Sequence, residues 1–439
     1  MHELYLAAAG YRLGETCTRW CTRVATVCRR WLGPVEPAAP AAGRDVRLDL
    51  FRGLALWFIF LDHIPGNVVS WMTVRNFGFS DATEIFVYIS GYTAALVYGK
   101  AMRDEGLIVA GARILKRAWQ IYVAHVFLFV IYAAAILFIA ANAGDPQFVD
   151  KMGLADFLHQ PGFLFIQVLL LRFKPVNMDV LPMYIAVLIA FAPMLWLLLR
   201  RSHLALLASA ALYALARHNG WAFASYSGNT WYFNPFAWQL LFMFGAWCAL
   251  GGAARIGGFI RSRAVTAVAA AYLVFALLIV ISWRVPALAE AVPAWLGACI
   301  YPIDKRNLDV LRIAHFLALA ALTVRFIACN HPFLNSALLR PLIRCGMHSL
   351  EIFCLGVLLS LMAYAALVQS SDGVAMQALV SAIGIAALIA VATLIAWGAS
   401  IEDSGQWARA PRPAPAPALQ APVLQTSVLQ PAPVALRAG

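Results

Sequence analysis

Apolar segments long enough to cross a lipid bilayer follow one another through most of this chain. They constrain its fold more than any other feature. They lie at about residues 50–71, 83–99, 114–140, 181–199, 203–217, 235–252, 264–283, 310–328, 347–368 and 375–398. A helix rises about 1.5 Å per residue, so roughly 20 apolar residues span the hydrocarbon core. We therefore predict an all-α polytopic membrane protein with about ten transmembrane helices.

The composition excludes a soluble globular protein. Only 12% of the residues are charged, about half of the roughly 25% found in soluble domains. The net charge is +12, but the basic residues are not clustered with aromatic residues as on a nucleic-acid-binding face, and we expect no nucleic-acid partner. The spacing of the eight cysteines predicts neither a disulfide nor a metal site.

The distribution of basic residues predicts the topology. If the N-terminus is cytoplasmic, 23 of the 33 Lys and Arg residues fall in inner segments and 8 in outer ones, with Arg52 and Arg312 left near helix ends. Positively charged residues are enriched in cytoplasmic loops of membrane proteins. This bias favours ten spans with both termini in the cytoplasm.

Two segments flank the predicted transmembrane domain at 45–400, and one short apolar run within that domain is not counted as a span. Residues 1–44 form a basic arm, which is either an amphipathic helix on the anionic inner leaflet or a poorly ordered segment. Residues 404–439 are rich in Pro and Ala, which predicts a disordered cytoplasmic tail. The run Phe163–Leu171 is too short to span and follows Pro161-Gly162, so we interpret it as re-entrant or interfacial.

The first helix contains the best candidates for chemistry, because ionisable residues are costly within a membrane. Arg52 and His63 are eleven residues apart, which places them on one helical face about 16 Å apart. A long donor with an anionic head could place its phosphates at Arg52 and its reactive end at His63. The alternative is a snorkelling arginine and a packed, hydrogen-bonded histidine. Asp62 points about 100° away from His63, which favours another partner such as Arg75 or Lys305.

Several motifs along the chain resemble those of the acyltransferase-3 family of membrane acyltransferases. The first is Asp49-x-x-Arg52-Gly53-x9-His63. The resemblance is closer to the OpgC-type branch, whose members succinylate osmoregulated periplasmic glucans. Its motifs match, in the same order, residues Arg47–Ala55, Asp62–Pro65, Phe77–Gly99, Asn234–Phe242, Asp304–Leu308, Leu311–Ala320 and His348–Gly356.

The resemblance implies a reaction and a location. A cytoplasmic acyl-CoA, with succinyl-CoA expected, donates its acyl group to a hydroxyl of a periplasmic glucan at the bacterial inner membrane, without a bound cofactor. His63 acts as general base, and a covalent acyl-histidine is the other possibility. O-acetylation of another envelope polysaccharide is the alternative reaction. A glycan transporter or flippase would have an inverted repeat with paired broken helices, and the sequence contains none.

The resemblance also implies two sets of binding residues, each of which has a structural alternative. The donor set is Arg113, Lys116, Arg117, Arg344, His348 and Glu351, and the acceptor set is Asp81, Glu84, Asn234, Trp238, Gln239, Asp304, Lys305 and Asn307. The first three basic residues could equally be positive-inside anchors. Arg344, His348 and Glu351 have the spacing of one helical face, which also suits an ion-pair network. Asp81-x-x-Glu84 is also a capping-box pattern.

Overall fold

The computed structural model describes residues 45–143 and 147–409, without the side chains of residues 143, 227 and 402–409. The predicted basic arm at 1–44 and the tail from residue 410 lie outside this part of the chain. The regular structure of the described residues is helical, apart from one isolated bridge between Ala224 and Thr230. This agrees with the predicted fold class.

Most consecutive helices are joined by short connections. In chain order they are α1 Val46–Asp62, α2 Ala82–Asp104, α3 Leu107–Ala143, α4 Gln147–Lys151, α5 Ala155–His159, α6 Pro161–Leu169, α7 Val180–Arg200, α8 Ser202–Asn219, α9 Pro235–Trp247, α10 Ala253–Ile260, α11 Arg263–Ser282, α12 Pro286–Ala291, α13 Ala294–Ile300, α14 Val310–Phe326, α15 Arg340–Met347, α16 Ser349–Gln369 and α17 Val374–Arg409. A kinked segment, Cys248–Gly252, in which Gly251 has a φ of +102°, joins α9 to α10. Short 3-10 helices are found at Val68–Met72, Val74–Asn76, Tyr226–Gly228, Pro332–Asn335 and Ala337–Leu339.

Six helical segments in the described residues are long and apolar enough to cross a membrane. They are Leu107–Asn142, Val180–Arg200, Pro235–Ile260, Arg263–Ser282, Ser349–Gln369 and Val374–Ile401. The other four predicted spans are also helical, but α1 and α14 have only 17 residues each, and α2 and α8 are less apolar. The protein is therefore a helical membrane protein, and the count of ten spans remains a prediction.

The first helix is shorter than the sequence pattern predicts. It ends at Asp62 rather than near residue 71, and the amide of His63 donates the last helical hydrogen bond, to Ile59 O. Pro65 lacks an amide proton and cannot continue a helix, and Gly66 turns the chain with a φ of +74°. Because the helix ends here, His63 lies at a turn rather than within a helix.

The ninth predicted span begins with a break that the sequence does not reveal. His348 has φ −109° and ψ 49°, and it separates α15 from α16. The expectation that Arg344, His348 and Glu351 share one helical face is therefore wrong. The helical spacing does not extend across the break, since Arg344 belongs to α15 and Glu351 to α16.

The last helix extends beyond its predicted end near residue 398. It continues to Arg409 and so includes the first residues of the segment predicted to be a disordered tail. The residues from 410 onward lie outside the described part of the chain.

Two glycines of the recognised motifs allow helices to pack backbone against backbone. A Cβ on Gly53 of α1 would lie 1.9 Å from the carbonyl oxygen of Leu342 in α15. A Cβ on Gly91 of α2 would lie 1.9 Å from the carbonyl oxygen of Phe242 in α9. Small residues are enriched at such contacts in membranes, because association there depends on close van der Waals packing. These contacts place α1 and α2 at the centre of the bundle.

Candidate active site

A cavity of about 550 Å³ lies where α1 ends and where α2, α7, α9 and α14 begin. We call this end of the helix bundle the His63 end. The opposite end, near Arg52, is the Arg52 end. The cavity is lined by Asp62, His63, Arg75, Gly78, Phe79, Ser80, Asp81, Val176, Asn177, Asp179, Val180, Tyr232, Phe233, Trp283, Ile303, Lys305 and Arg312. Its volume is in the range of small-molecule sites. It combines aromatic rings with charged side chains of both signs.

His63 lies at the junction of this cavity with a smaller one. The second cavity, of about 110 Å³, shares Asp62, His63, Val176 and Asn177 with the first, and Tyr132, Ser360 and Tyr364 lie on its other side. The Nδ1 atom of His63 is buried and has no hydrogen-bond partner among the described residues. Buried polar atoms are nearly always hydrogen-bonded, and an exception points to function. The two cavities and the unpartnered nitrogen make His63 the central candidate.

The side chain of Asp62 makes its hydrogen bond within the turn that follows α1. Its Oδ1 accepts a hydrogen bond of 2.7 Å from Thr73 Oγ1. Arg75 Nη1 donates to the backbone carbonyl of Asp62 at 3.4 Å, while Lys305 pairs with Asp81 instead. The carboxylate of Asp62 therefore hydrogen-bonds to Thr73 rather than to His63, and among the described residues it forms no salt bridge with Arg75 or Lys305, the partners that the sequence suggested. Asp62 fixes the 3-10 segment on which Arg75 lies.

Four charged side chains form a cluster on the cavity wall. Lys305 Nζ lies 2.6 Å from Asp81 Oδ2, and Arg312 Nη2 lies 3.1 Å from the same oxygen. Arg312 also contacts Glu84 Oε1 at 2.7 Å, and Glu84 is fully buried. Buried charges are tolerated only when they are paired and hydrogen-bonded. The cluster balances two carboxylates with two cations, and it ties α2 to α14.

The capping box predicted at the start of α2 is present within this cluster. Asp81 accepts from the amide of Thr83 at 2.8 Å, and Glu84 Oε2 accepts from the amide of Asp81 at 2.9 Å. Burial would raise the pKa of Asp81, but Lys305 and Arg312 outweigh it and hold that pKa well below its ordinary value. Asp81 is therefore ionised at neutral pH, and its two carboxylate oxygens are already in use.

A histidine that sequence reasoning did not select supports the same wall. His315 is buried, and its Nδ1 lies 2.7 Å from Ser80 Oγ and accepts from the Ser80 amide at 3.3 Å. A Cβ on Gly78 would lie 1.7 Å from Nε2 of His315, so this position requires glycine. Arg312 and His315 belong to a motif shared with the OpgC-type branch. The signal that could have identified Arg312 is its charge at the start of an apolar helix.

Asp179 is a third carboxylate that lines the cavity, and no sequence motif pointed to it. It is the residue before α7, and its side chain makes no capping hydrogen bond there. Burial raises the pKa of Asp179 to about 6, although Lys174 and Arg306 act in the opposite direction. Asn177, two residues earlier, has a φ of +70° and donates to the carbonyl of His63 at 3.4 Å. The loop before α7 thus brings Asp179 to the cavity.

The predicted acceptor residues divide into two groups. Asp81 and Lys305 line the cavity, and Glu84 lies directly behind them in the charged cluster. The other five lie in structural hydrogen bonds and do not line the cavity; they are Asn234, Trp238, Gln239, Asp304 and Asn307. An acceptor-binding role for these five remains an untested prediction.

The contacts of that second group hold the helix starts in place. Asn234 caps α9 by accepting from the amide of Phe236 and donates to Asn307 Oδ1 at 2.9 Å, and Asn307 donates to Asp304 Oδ2 at 2.7 Å. Trp238 is fully buried, and its indole nitrogen donates to the carbonyls of residues 305 and 306. This network fixes the loop that carries Lys305.

Gln239 connects two neighbouring helices away from the cavity. Its Oε1 accepts from Ser209 Oγ at 2.7 Å, and its Nε2 donates to the carbonyl of Ser209 at 2.9 Å. Ser209 lies on α8 and is fully buried. The two reciprocal hydrogen bonds link α9 to α8.

Arg52 lies among helix contacts at the other end of α1. Its Nη2 donates to Thr93 Oγ1 of α2 at 2.9 Å, and its Nη1 approaches the carbonyl of Gly346 in α15 at 3.5 Å. Arg52 lines neither of the two cavities described above. His63 follows the last residue of α1 rather than lying within it, so the prediction that Arg52 and His63 share one helical face does not hold as made, and the two side chains contact different surroundings.

The predicted donor-binding residues are mostly solvent-exposed. Arg113 pairs with Glu105 at 2.6 Å, with about half of its side chain exposed. Lys116, Arg344 and Glu351 are also exposed, and Arg117 and His348 are partly buried. His348 Nε2 is buried without a hydrogen-bond partner in the part of the chain that the structure describes. In the same part of the chain, no group of three His, Cys, Asp or Glu side chains could hold a metal ion.

Comparisons with known proteins bear on most of the described chain. A family model described as OpgC protein matches residues 44–400. No curated protein and no solved structure matches the chain. The matched region contains His63, the charged cluster and the Arg52 end. Because this match covers well over half of its length, the chain belongs to the OpgC protein family.

Proposed function

We propose that this protein is a membrane O-acyltransferase that modifies a glucan. An acyl group, for which we propose succinyl, is transferred from cytoplasmic acyl-CoA to a hydroxyl of a periplasmic glucan at the bacterial inner membrane. The family match supports the glucan-modifying class. The single observation that supports the site is that His63 lines two adjoining cavities while its buried Nδ1 has no hydrogen-bond partner among the described residues.

The chemistry proposed for His63 is general-base catalysis. The sugar hydroxyl gives its proton to the imidazole while its oxygen forms a bond to the thioester carbon. The carbon–sulfur bond then breaks, and the leaving thiolate takes up the proton to give free CoA and a glucan ester. A neutral imidazole is suited to this role near pH 7. The carboxylate of Asp62 accepts a hydrogen bond from Thr73. In this proposal Asp62 therefore stabilises the turn beside His63 and takes no part in the proton transfer.

The proposed acceptor site is the larger cavity. Tyr232, Phe233 and Trp283 provide flat apolar surfaces that suit the faces of sugar rings, and Asn177 and Asp179 provide polar groups for hydroxyls. Sites for small polar ligands combine apolar walls with a few such groups. The donor would enter from the Arg52 end, with Arg52, Arg113, Lys116 and Arg117 near its phosphates. Ten spans with cytoplasmic termini are part of this proposal.

The test is the activity of purified His63 variants with acyl-CoA and neutral glucan oligosaccharides. We expect His63→Ala to lower the turnover by about 10²–10⁴-fold, which is typical for loss of a general base. His63→Gln keeps a hydrogen-bonding group but cannot take up a proton, so it should be nearly as inactive. Donor binding, measured directly, should persist in both variants, since the loss concerns the reaction barrier.

Two further measurements test whether each variant is folded and which acyl group is transferred. Each variant is first compared with the wild type for thermal unfolding, because loss of a partly buried side chain can destabilise the protein. Folded His63→Ala protein that acylates at the wild-type rate would contradict the assignment to His63. Succinylation makes a neutral glucan anionic, whereas acetylation does not. The charge of periplasmic glucans in a deletion strain therefore distinguishes the two acyl groups.

A further inference from the structure

One of the three cations that line the larger cavity differs from the other two. Lys305 and Arg312 are paired with the carboxylates of Asp81 and Glu84. Arg75 has no carboxylate within ion-pairing distance among the described residues, and its one hydrogen bond there is to the carbonyl oxygen of Asp62, at 3.4 Å. The guanidinium of Arg75 therefore retains most of its five donors for a ligand.

The backbone that carries Arg75 is held in place. Thr73 Oγ1 donates to Asp62 Oδ1 at 2.7 Å, and Asn76 Nδ2 donates to the carbonyl of Ser70 at 2.6 Å. Both residues flank Arg75 in the 3-10 segments after α1. Asp62, which directly precedes His63, thus fixes the segment through its side chain and contacts Arg75 through its carbonyl. The arginine and the candidate base line one cavity from adjoining parts of the chain.

We propose that Arg75 binds the terminal carboxylate of a dicarboxylic acyl group and so selects succinyl over uncharged acyl donors. This inference rests on the proposed function. In a succinyl thioester, three carbon–carbon bonds separate the reacting carbonyl from the terminal carboxylate, an extended distance of about 4 Å. When the carbonyl is at His63, the carboxylate lies within the same cavity. The planar fork of arginine matches a carboxylate in a bidentate arrangement.

The paired cations are unsuited to this role. Binding a further carboxylate at Lys305 or Arg312 would take them from Asp81 and Glu84 and leave a buried carboxylate uncompensated. Arg75 is exposed at the edge of the cavity, so its substitution removes no buried pair. An uncharged acyl group such as acetyl makes no use of an unpaired guanidinium. A carboxylate at the far end of the acyl group supplies the anionic partner that the Arg75 guanidinium lacks among the described residues.

The experiment compares two donors of the same chain length with detergent-solubilised, purified protein. Succinyl-CoA and butyryl-CoA differ in having a carboxylate or a methyl group at the end of the chain. For Arg75→Gln we expect kcat/KM with succinyl-CoA to fall about 10- to 100-fold, as for loss of a charged hydrogen-bond partner. The value with butyryl-CoA should stay within about 2-fold. Arg75→Lys keeps the charge without the fork and should recover part of the succinyl activity.

The matched control is Arg172→Gln. Arg172 is also an exposed arginine at the His63 end, it does not line the cavity, and only its backbone amide and carbonyl make hydrogen bonds with described residues. It should leave the preference for succinyl unchanged. An equal loss with both donors in Arg75→Gln overturns the inference and leaves the acyltransferase standing. Wild-type protein that transfers neither acyl group overturns the proposed function, and the inference with it.

Discussion

The two ends of the first helix differ in how far their charged side chains are buried and paired. At the His63 end, charged side chains are buried or partly buried and paired: Asp81 pairs with Lys305 and Arg312, and Glu84 pairs with Arg312, at 2.6–3.1 Å. At the Arg52 end, the basic side chains are mostly exposed, as Arg113 is. Arg52 is an exception, because it is tied into the helix packing there, and so is Arg47, which pairs with Asp45 and donates to the carbonyl of Ile327.

The difference indicates where the geometry of the protein is fixed. A buried charge has one low-energy arrangement because it must keep its partners. An exposed charge has many arrangements, and salt screens it. We therefore expect the His63 end to determine the position of the reacting groups and the Arg52 end to attract a polyanionic donor without orienting it. Four variants test this contrast, in order of decreasing effect.

The largest effect is expected at the buried charged cluster. Arg312→Ala leaves Asp81 and Glu84 with only Lys305, and the loss of one partner of a buried pair costs about 3–5 kcal/mol. Arg325→Ala in the same helix is the matched control, because Arg325 is exposed near the opposite end of α14. The measurement is the midpoint of thermal unfolding in detergent. Equal midpoints for the two variants would mean that the cluster does not hold the His63 end.

The next effect is expected where α1 packs on α15 at the Arg52 end. Gly53→Ala places a methyl group 1.9 Å from the carbonyl oxygen of Leu342, so the helices must move apart, at a cost of about 1–3 kcal/mol. Gly257→Ala in α10 is the control, since a Cβ there meets no atom within 4 Å. If unfolding of Gly53→Ala matches that of Gly257→Ala, the backbone contact does not fix Arg52.

A smaller effect with a defined pH dependence is expected at Asp179. Burial raises the pKa of this carboxyl to about 6 in the folded protein, from an ordinary 3.8. The folded state therefore holds the proton more tightly, so stability falls as the pH rises from about 4 to about 6. Asp179→Asn removes that loss and should be more stable than the wild type by about 1–2 kcal/mol at pH 7.5.

The comparison at Asp179 is made by thermal unfolding across pH. The advantage of Asp179→Asn should disappear below about pH 4, where the wild-type carboxyl is protonated in both states. Asp150→Asn, at an exposed carboxyl of α4, should show no such advantage. An advantage for Asp179→Asn that persists at low pH would point to a cause other than the buried charge.

The smallest effect is expected at the exposed basic residues. The double variant Arg113→Gln, Lys116→Gln should raise KM for acyl-CoA about 2- to 5-fold at low salt, since exposed charges contribute little. The difference should vanish near 1 M salt, where the screening length is about 3 Å. Lys151→Gln, at an exposed lysine of α4, is the control. A change in turnover rather than in KM would show that these residues orient the donor.

The sequence alone determined the class of fold, the family and the position of the candidate base. The apolar segments predicted helices, and each of the ten contains a helix in the structure, although only six helical segments of the described residues are long and apolar enough to span by themselves. The motifs from Arg47 onward identified the family that the match over residues 44–400 confirms. The capping box of Asp81 and Glu84 also follows from a local pattern. These are properties of neighbouring residues, which a sequence records directly.

The tertiary structure decided which distant residues meet. Arg312 follows Glu84 by 228 positions, and no local pattern specifies that pairing. Asp179 and Arg75 reach the cavity through turns set by Asn177 and by Thr73 with Asp62, which helical periodicity does not describe. The break at His348 likewise contradicts the periodic spacing of Arg344, His348 and Glu351. Long-range contacts depend on how helices pack, and packing depends on close approaches such as that of Gly53 with Leu342, which become apparent only when both partners are in place.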